Sequence, residues 1–97
     1  MASTAPTPEV IGQAISPHLP SGYRAVLFGS RATGRARPTS DWDIGIVGEA
    51  PVDGSVVERL REVLDELPTL HNFDVVDLAT VPAEFRERAL RGARRIA

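Results

Sequence analysis

The chain has 97 residues, of which 42% are hydrophobic and 25% charged, and it contains no cysteine. This composition is typical of one globular domain without disulfides or thiolate sites, and the formal net charge of −2 argues against a general nucleic-acid binder. No apolar run approaches the roughly 18 residues that a membrane span needs. We expect a cytoplasmic protein with a disordered tail over residues 1–8 and a single domain over residues 9–97.

Hydrophobic periodicity predicts seven elements in the order α-β-α-β-α-β-α. The firmest is a helix over residues 55–67, whose valines and leucines recur at helical spacing and which ends before Pro68. The remaining predicted elements are helices over 9–19, 30–35 and 82–96 and strands over 24–29, 43–48 and 73–78.

Two short motifs lie between the first two predicted strands. Gly29-Ser30-Arg31 follows the first strand, and Asp41-Trp42-Asp43 leads into the second. Gly29 has no Cβ, so a phosphate can approach its backbone, and Ser30 offers a hydroxyl and an N–H at a predicted helix start. Side chains two apart on a strand share a face, so Asp41 and Asp43 project together. Two such carboxylates repel each other unless a cation lies between them, which indicates a hard divalent ion.

The position of these motifs also predicts the strand directions. If Gly29 at the end of the first strand meets Asp41 and Asp43 at the start of the second, these two strands are antiparallel. A third strand that brings a further acid to the same end must run parallel to the second, with helix 55–67 as its crossover. We therefore predict an α/β (α+β) fold with a small mixed sheet of at least three strands backed by helices.

Both motifs resemble the signature of a known superfamily. The segments Gly29-Ser30-Arg31-Ala32-Thr33-Gly34 and Ser40-Asp41-Trp42-Asp43-Ile44 resemble that of the DNA-polymerase-β-like nucleotidyltransferases. More narrowly, they resemble the minimal nucleotidyltransferases, which occur as antitoxins beside HEPN-domain ribonuclease toxins. The resemblance extends over roughly residues 10–80 and implies the nucleotidyltransferase fold, ATP, two Mg²⁺ ions and transfer of AMP to a hydroxyl. For the minimal subfamily it implies a tyrosine acceptor on a cognate HEPN toxin and a hetero-oligomer with that toxin.

The resemblance further implies a third carboxylate on a neighbouring strand, for which the sequence offers Asp74 and Asp77. They lie three residues apart, so on one strand they face opposite sides. Asp74 is followed by apolar strand residues, as in the family pattern, and is the predicted ligand; Asp77 remains the alternative, or a capping carboxylate. The predicted catalytic and metal-binding residues are Asp41, Asp43 and Asp74, and the predicted nucleotide-binding residues are Gly29, Ser30 and Arg31.

Several residues receive structural interpretations, and two other functions stay open. We expect His18 and His71 to be structural, Trp42 to pack on the helix side of the sheet, and the arginine-rich last helix to be solvated or to dock on a partner. The first alternative function is an antitoxin that neutralises its toxin by binding alone. The second is transfer of a nucleotide to a small molecule such as an aminoglycoside.

Overall fold

The computed structural model describes residues 6–97, in which four α-helices and four strands form, with a short 3-10 helix at Ser16–His18 after the first α-helix. In chain order the α-helices and strands are α1 (Pro8–Ile15), β1 (Arg24–Phe28), α2 (Ser30–Thr33), β2 (Trp42–Val47), α3 (Gly54–Asp65), β3 (Phe73–Asp77), α4 (Ala83–Leu90) and β4 (Arg94–Arg95). The Thr7 hydroxyl caps α1 by accepting from the Val10 N–H at 3.2 Å, so α1 starts one residue before the predicted helix. Residues 1–5 of the predicted tail lie outside the described part of the chain.

The strands form one mixed sheet in the order β3-β2-β1-β4. β1 and β2 are antiparallel, whereas β2 and β3 are parallel and are connected through α3. The predicted mixed sheet and the predicted directions of its first three strands are therefore confirmed. None of the helices within residues 6–97 has the length and apolar character of a membrane span.

The end of the chain differs from the prediction, because the last helix stops at Leu90 and a fourth strand follows. Gly92 adopts a φ of 82°, in the left-handed region that ends helices. The chain then returns along β1, where β4 pairs antiparallel with Val26 and Leu27. The predicted helix to Ile96 was wrong, since Ala93 and Ile96 match helical spacing but lie beyond this glycine. Ile96 instead packs on the core from the sheet edge.

The two faces of the sheet carry different apolar clusters. The first face packs against α1 and α3 and contains most of the core: Ile11, Ile15, Ala25, Leu27, Trp42, Ile44, Ile46, Leu60, Leu64 and Val75. The second face packs against α4 through the smaller cluster of Val26, Phe28, Leu78 and Ala89. Trp42 is buried on the helix side, as predicted. Since side chains alternate along a strand, Asp43 lies on the second face.

Candidate active site

The three predicted carboxylates come together at one end of the second face. Asp43 and Asp74 are register partners on the parallel strands β2 and β3, so their side chains are neighbours on the same face. Asp41 lies one residue before β2 and is exposed, as is Asp74, whereas Asp43 is half-buried. Burial raises the pKa of Asp43, and the charges of Asp74 and Asp41 raise it further. All three carboxylates therefore share one electrostatic site.

The carboxylates fit a hard divalent cation in ligand type and in charge. Carboxylate oxygens are the ligands that Mg²⁺ prefers, and a cation between them relieves the repulsion that raises the pKa of Asp43. Their side chains do not converge on one point, since residues 6–97 contain no group of three His, Cys, Asp or Glu side chains with the spacing of a metal site. Metal ligation by Asp41, Asp43 and Asp74 therefore stays a prediction.

Asp77, the alternative third carboxylate, is engaged elsewhere. Its carboxylate accepts hydrogen bonds from the Val52 N–H at 2.8 Å and the Ala79 N–H at 3.0 Å. Its register partner is Ile46, a residue of the buried first face. Asp77 thus ties together the segments that flank α3 and α4, and the structure groups Asp74 with Asp43 instead.

Gly29 forms the wall of the site opposite Asp43. Its φ of 74° lies in the region that side chains disfavour, and a Cβ at this position would collide with the carboxylate oxygen Oδ2 of Asp43. Gly29 thereby lets the carboxylate lie directly against the backbone bend that precedes Ser30. Because α2 is only four residues long, the predicted anion binding here would depend on the local N–H and hydroxyl groups, without the dipole of a long helix.

Arg31 is half-buried and contacts the loop that precedes Asp41. Its guanidinium donates to the carbonyl oxygen of Ser40 at 2.8 Å and to that of Pro38 at 3.3 Å. The same group lies 4.4 Å from the centroid of the Trp42 ring, in a cation–π arrangement. These contacts fix the loop against α2, and the predicted place of Arg31 beside the phosphates stays a prediction.

His71 completes this cluster from the segment before β3. Its Nδ1 lies 3.1 Å from Nη2 of Arg31 and 3.4 Å from Nε1 of Trp42. Both partners are donors, so Nδ1 is assigned as the acceptor of a neutral ring whose proton is on Nε2. We call Arg31, Trp42 and His71 the clamp; it joins α2, the start of β2 and the segment before β3.

Comparison with known families identifies the protein. The family described as "Polymerase beta, Nucleotidyltransferase" matches residues 20–97. The chain belongs to this nucleotidyltransferase family. Over 65 residues it is also 38% identical to the probable protein adenylyltransferase MntA of Haemophilus influenzae, an alignment that covers 67% of this chain and 57% of that relative. The aligned part thus spans little more than half the length of the relative.

Solved structures share the fold of this nucleotidyltransferase. A toxin–antitoxin structure with AMP-PNP matches at a TM-score of 0.64 and 20% identity, covering 88% of this chain and 68% of the other. A complex of tri-AMPylated HEPN toxin with MNT antitoxin from Shewanella oneidensis matches at 0.61 and 17% identity, covering 94% and 72%. At these identities the matches show the fold alone, and they confirm the predicted nucleotidyltransferase fold.

The sequence of this nucleotidyltransferase did not predict the clamp or the close contact between Gly29 and Asp43. His71 was interpreted as an isolated structural residue, and nothing in its local sequence connects it to Arg31, 40 residues away. The contact between Gly29 and Asp43 was likewise not foreseen, although the positive φ of a glycine at a strand end is the signal that could have indicated it.

Proposed function

We propose that this nucleotidyltransferase transfers AMP from ATP to a hydroxyl of a partner protein, and that it acts as the antitoxin of a HEPN-domain toxin whose tyrosine is the acceptor. The observation that carries the proposal is the grouping of Asp41, Asp43 and Asp74 against the Gly29 bend. Family membership supports the reaction type. The names of the similar proteins, a probable protein adenylyltransferase and the antitoxin of an AMPylated HEPN toxin, support a protein acceptor and a HEPN partner.

The reaction gathers negative charge, which explains the need for carboxylates and cations together. The acceptor oxygen forms a bond to the α-phosphorus of ATP while the bond to the bridging oxygen breaks and pyrophosphate leaves. In this proposal Asp41, Asp43 and Asp74 would hold Mg²⁺, which would supply positive charge to the triphosphate. Asp74 is exposed, and in this proposal it accepts the proton of the incoming hydroxyl. The Gly29 backbone and the Ser30 hydroxyl bind the terminal phosphates.

The surroundings of Asp74 suit the approach of a large acceptor. β3 is an edge strand of the sheet, and an open groove of about 440 Å³ runs between β3 and α3 with Asp74, Glu58 and Arg61 in its walls. Charged walls and an open shape fit a segment of another protein better than a small apolar molecule.

Use of ATP and the lack of cysteine support action in the cytoplasm.

The direct test combines the purified protein with ATP, Mg²⁺ and the proposed cognate HEPN toxin. We expect intact mass spectrometry to show the toxin with one or more added AMP groups, and we expect EDTA to prevent the modification. A toxin that is inhibited yet unmodified would contradict the proposal and favour neutralisation by binding alone. Nucleotide found on an aminoglycoside, with none on the toxin, would favour the small-molecule alternative.

Gly29 offers a test of the wall beside Asp43. We expect Gly29→Ala to reduce AMP transfer about 100-fold or more, because the new Cβ displaces the Asp43 carboxylate in addition to straining the backbone. Gly22→Ala is the matched control: Gly22 has a φ of 88°, but no described atom lies within 4 Å of its added Cβ. Both variants should unfold at lower temperature than the wild type, by circular dichroism, and equal losses of activity would contradict the role of the contact.

Arg31 offers a test that separates positioning from phosphate binding. We expect Arg31→Lys and Arg31→Met to lower kcat about 10-fold or more and to raise the Mg²⁺ concentration required, with little change in KM for ATP. The reason is that Lys keeps the charge but cannot contact Ser40, Pro38 and Trp42 together. Steady-state kinetics at varied ATP and Mg²⁺ concentrations measures these changes. If Arg31→Met raises KM for ATP and Arg31→Lys keeps the wild-type KM, Arg31 would instead bind phosphate.

A further inference from the structure

A small pocket opens on the second face of the sheet beside Gly29. Its volume is about 210 Å³, and its walls are formed by Gly29, Phe28, Phe85, Ala89 and Arg88. The rings of Phe28 and Phe85 meet edge to face, with centroids 6.2 Å apart and an interplanar angle of 82°. Phe85 nevertheless remains 36% exposed. The pocket is therefore aromatic, with one cationic side chain in its wall.

The pocket adjoins the carboxylate site on the side away from Asp74. Phe28 and Asp43 are directly opposite each other in the antiparallel ladder, so their side chains lie on the same face. Gly29 belongs to both places, since it lines the pocket and also contacts the Asp43 carboxylate. In the strand order, β2 separates this pocket on β1 from Asp74 on β3. A ligand group in the pocket would thus lie beside the Gly29 bend and across Asp43 from the groove along β3.

The size and chemistry of the pocket select one flat aromatic ring system. Its volume is below the roughly 300–1,000 Å³ of sites that enclose a whole drug-sized ligand, so it suits one end of a larger molecule. Aromatic side chains stack on nucleobases, and an arginine guanidinium adds a cation–π contact to such a ring. We propose that this pocket binds the purine base of ATP, with the ribose passing Gly29 to place the phosphates at Asp41 and Asp43. The inference deepens the proposed function and depends on it.

Direct binding measurements test this without the toxin. Isothermal titration of Phe85→Ala should show Mg-ATP binding weakened about 5- to 30-fold relative to the wild type, with Mg-tripolyphosphate binding unchanged because it has no base. Leu90→Ala is the matched control, because Leu90 is on the same helix, is 38% exposed and lies outside the pocket. This variant should bind both ligands as tightly as the wild type does. Phe85→Tyr keeps the ring and should restore ATP binding.

Each other result overturns the inference in an identifiable way. If Phe85→Ala binds Mg-ATP as tightly as the wild type does, the base lies elsewhere. If its ATP binding is unchanged but KM for the toxin rises, the pocket holds an acceptor ring instead. Equal weakening of ATP and tripolyphosphate would indicate a general disturbance of the site. A wild type that binds neither ligand in the presence of Mg²⁺ would contradict the proposed function itself, and the inference with it.

Discussion

Asp43→Asn is expected to abolish AMP transfer while stabilising the metal-free protein. The loss of activity should exceed the roughly 10²–10³-fold effect of removing a single transition-state contact, because metal binding is lost as well. Asp41→Asn should lose activity to a similar extent. The proposed assay, with intact mass spectrometry of the toxin after timed incubation, measures both variants, and Glu49→Gln, an exposed acid just beyond β2, is the control.

The gain in stability follows from the raised pKa of Asp43. A carboxyl whose pKa is higher in the folded than in the unfolded chain binds its proton more tightly when folded. Its contribution therefore favours folding at low pH and is lost as the pH rises through the folded pKa. Asn cannot ionise, so the variant should melt a few degrees above the wild type at pH 7 in EDTA, and the two should converge near pH 4. A variant that melts lower at pH 7, or that keeps its activity, would contradict this account.

The second large effect is a division of roles between Asp74 and Asp77. Asp74→Asn should reduce AMP transfer at least about 100-fold with little change in stability, because the side chain is exposed and is proposed to act on the acceptor and metal. Asp77→Ala should instead lower the stability of the fold and leave AMP transfer nearly unchanged. It leaves the Val52 and Ala79 N–H groups without their acceptor, which costs about 1–3 kcal/mol.

Kinetics and thermal unfolding on the same preparations separate the two roles. For a domain of this size, a loss of 1 kcal/mol lowers Tm by roughly 4–8 °C, so Asp77→Ala should be visibly less stable and still active well below its Tm. The opposite pattern, with an active Asp74→Asn and an inactive Asp77→Ala of normal stability, would assign the third carboxylate to Asp77.

For β1, β2, β3 and α3, the predictions that depended on local sequence agree with the structure. Short apolar runs located β1, β2 and β3, and the 3.6-residue period located α3, since each pattern belongs to its own element. The spacing of Asp41 and Asp43 likewise placed both carboxylates at the start of β2. The last helix was overextended because helical spacing continued past Gly92, where the free edge of β1 instead paired with β4.

The amino-acid sequence alone determined the fold class, the Gly29 bend and the aspartate pair of β2, because these depend on residue type and on spacing within one segment. Only the tertiary structure distinguished the surroundings of Asp74 and Asp77, since strand register places Asp74 beside Asp43 while Asp77 accepts hydrogen bonds from the backbone; the role of Asp74 as third carboxylate stays a prediction. It also showed the contacts of Arg31, whose partners include His71, 40 residues away. Such contacts arise from packing between distant segments, and no local pattern encodes them.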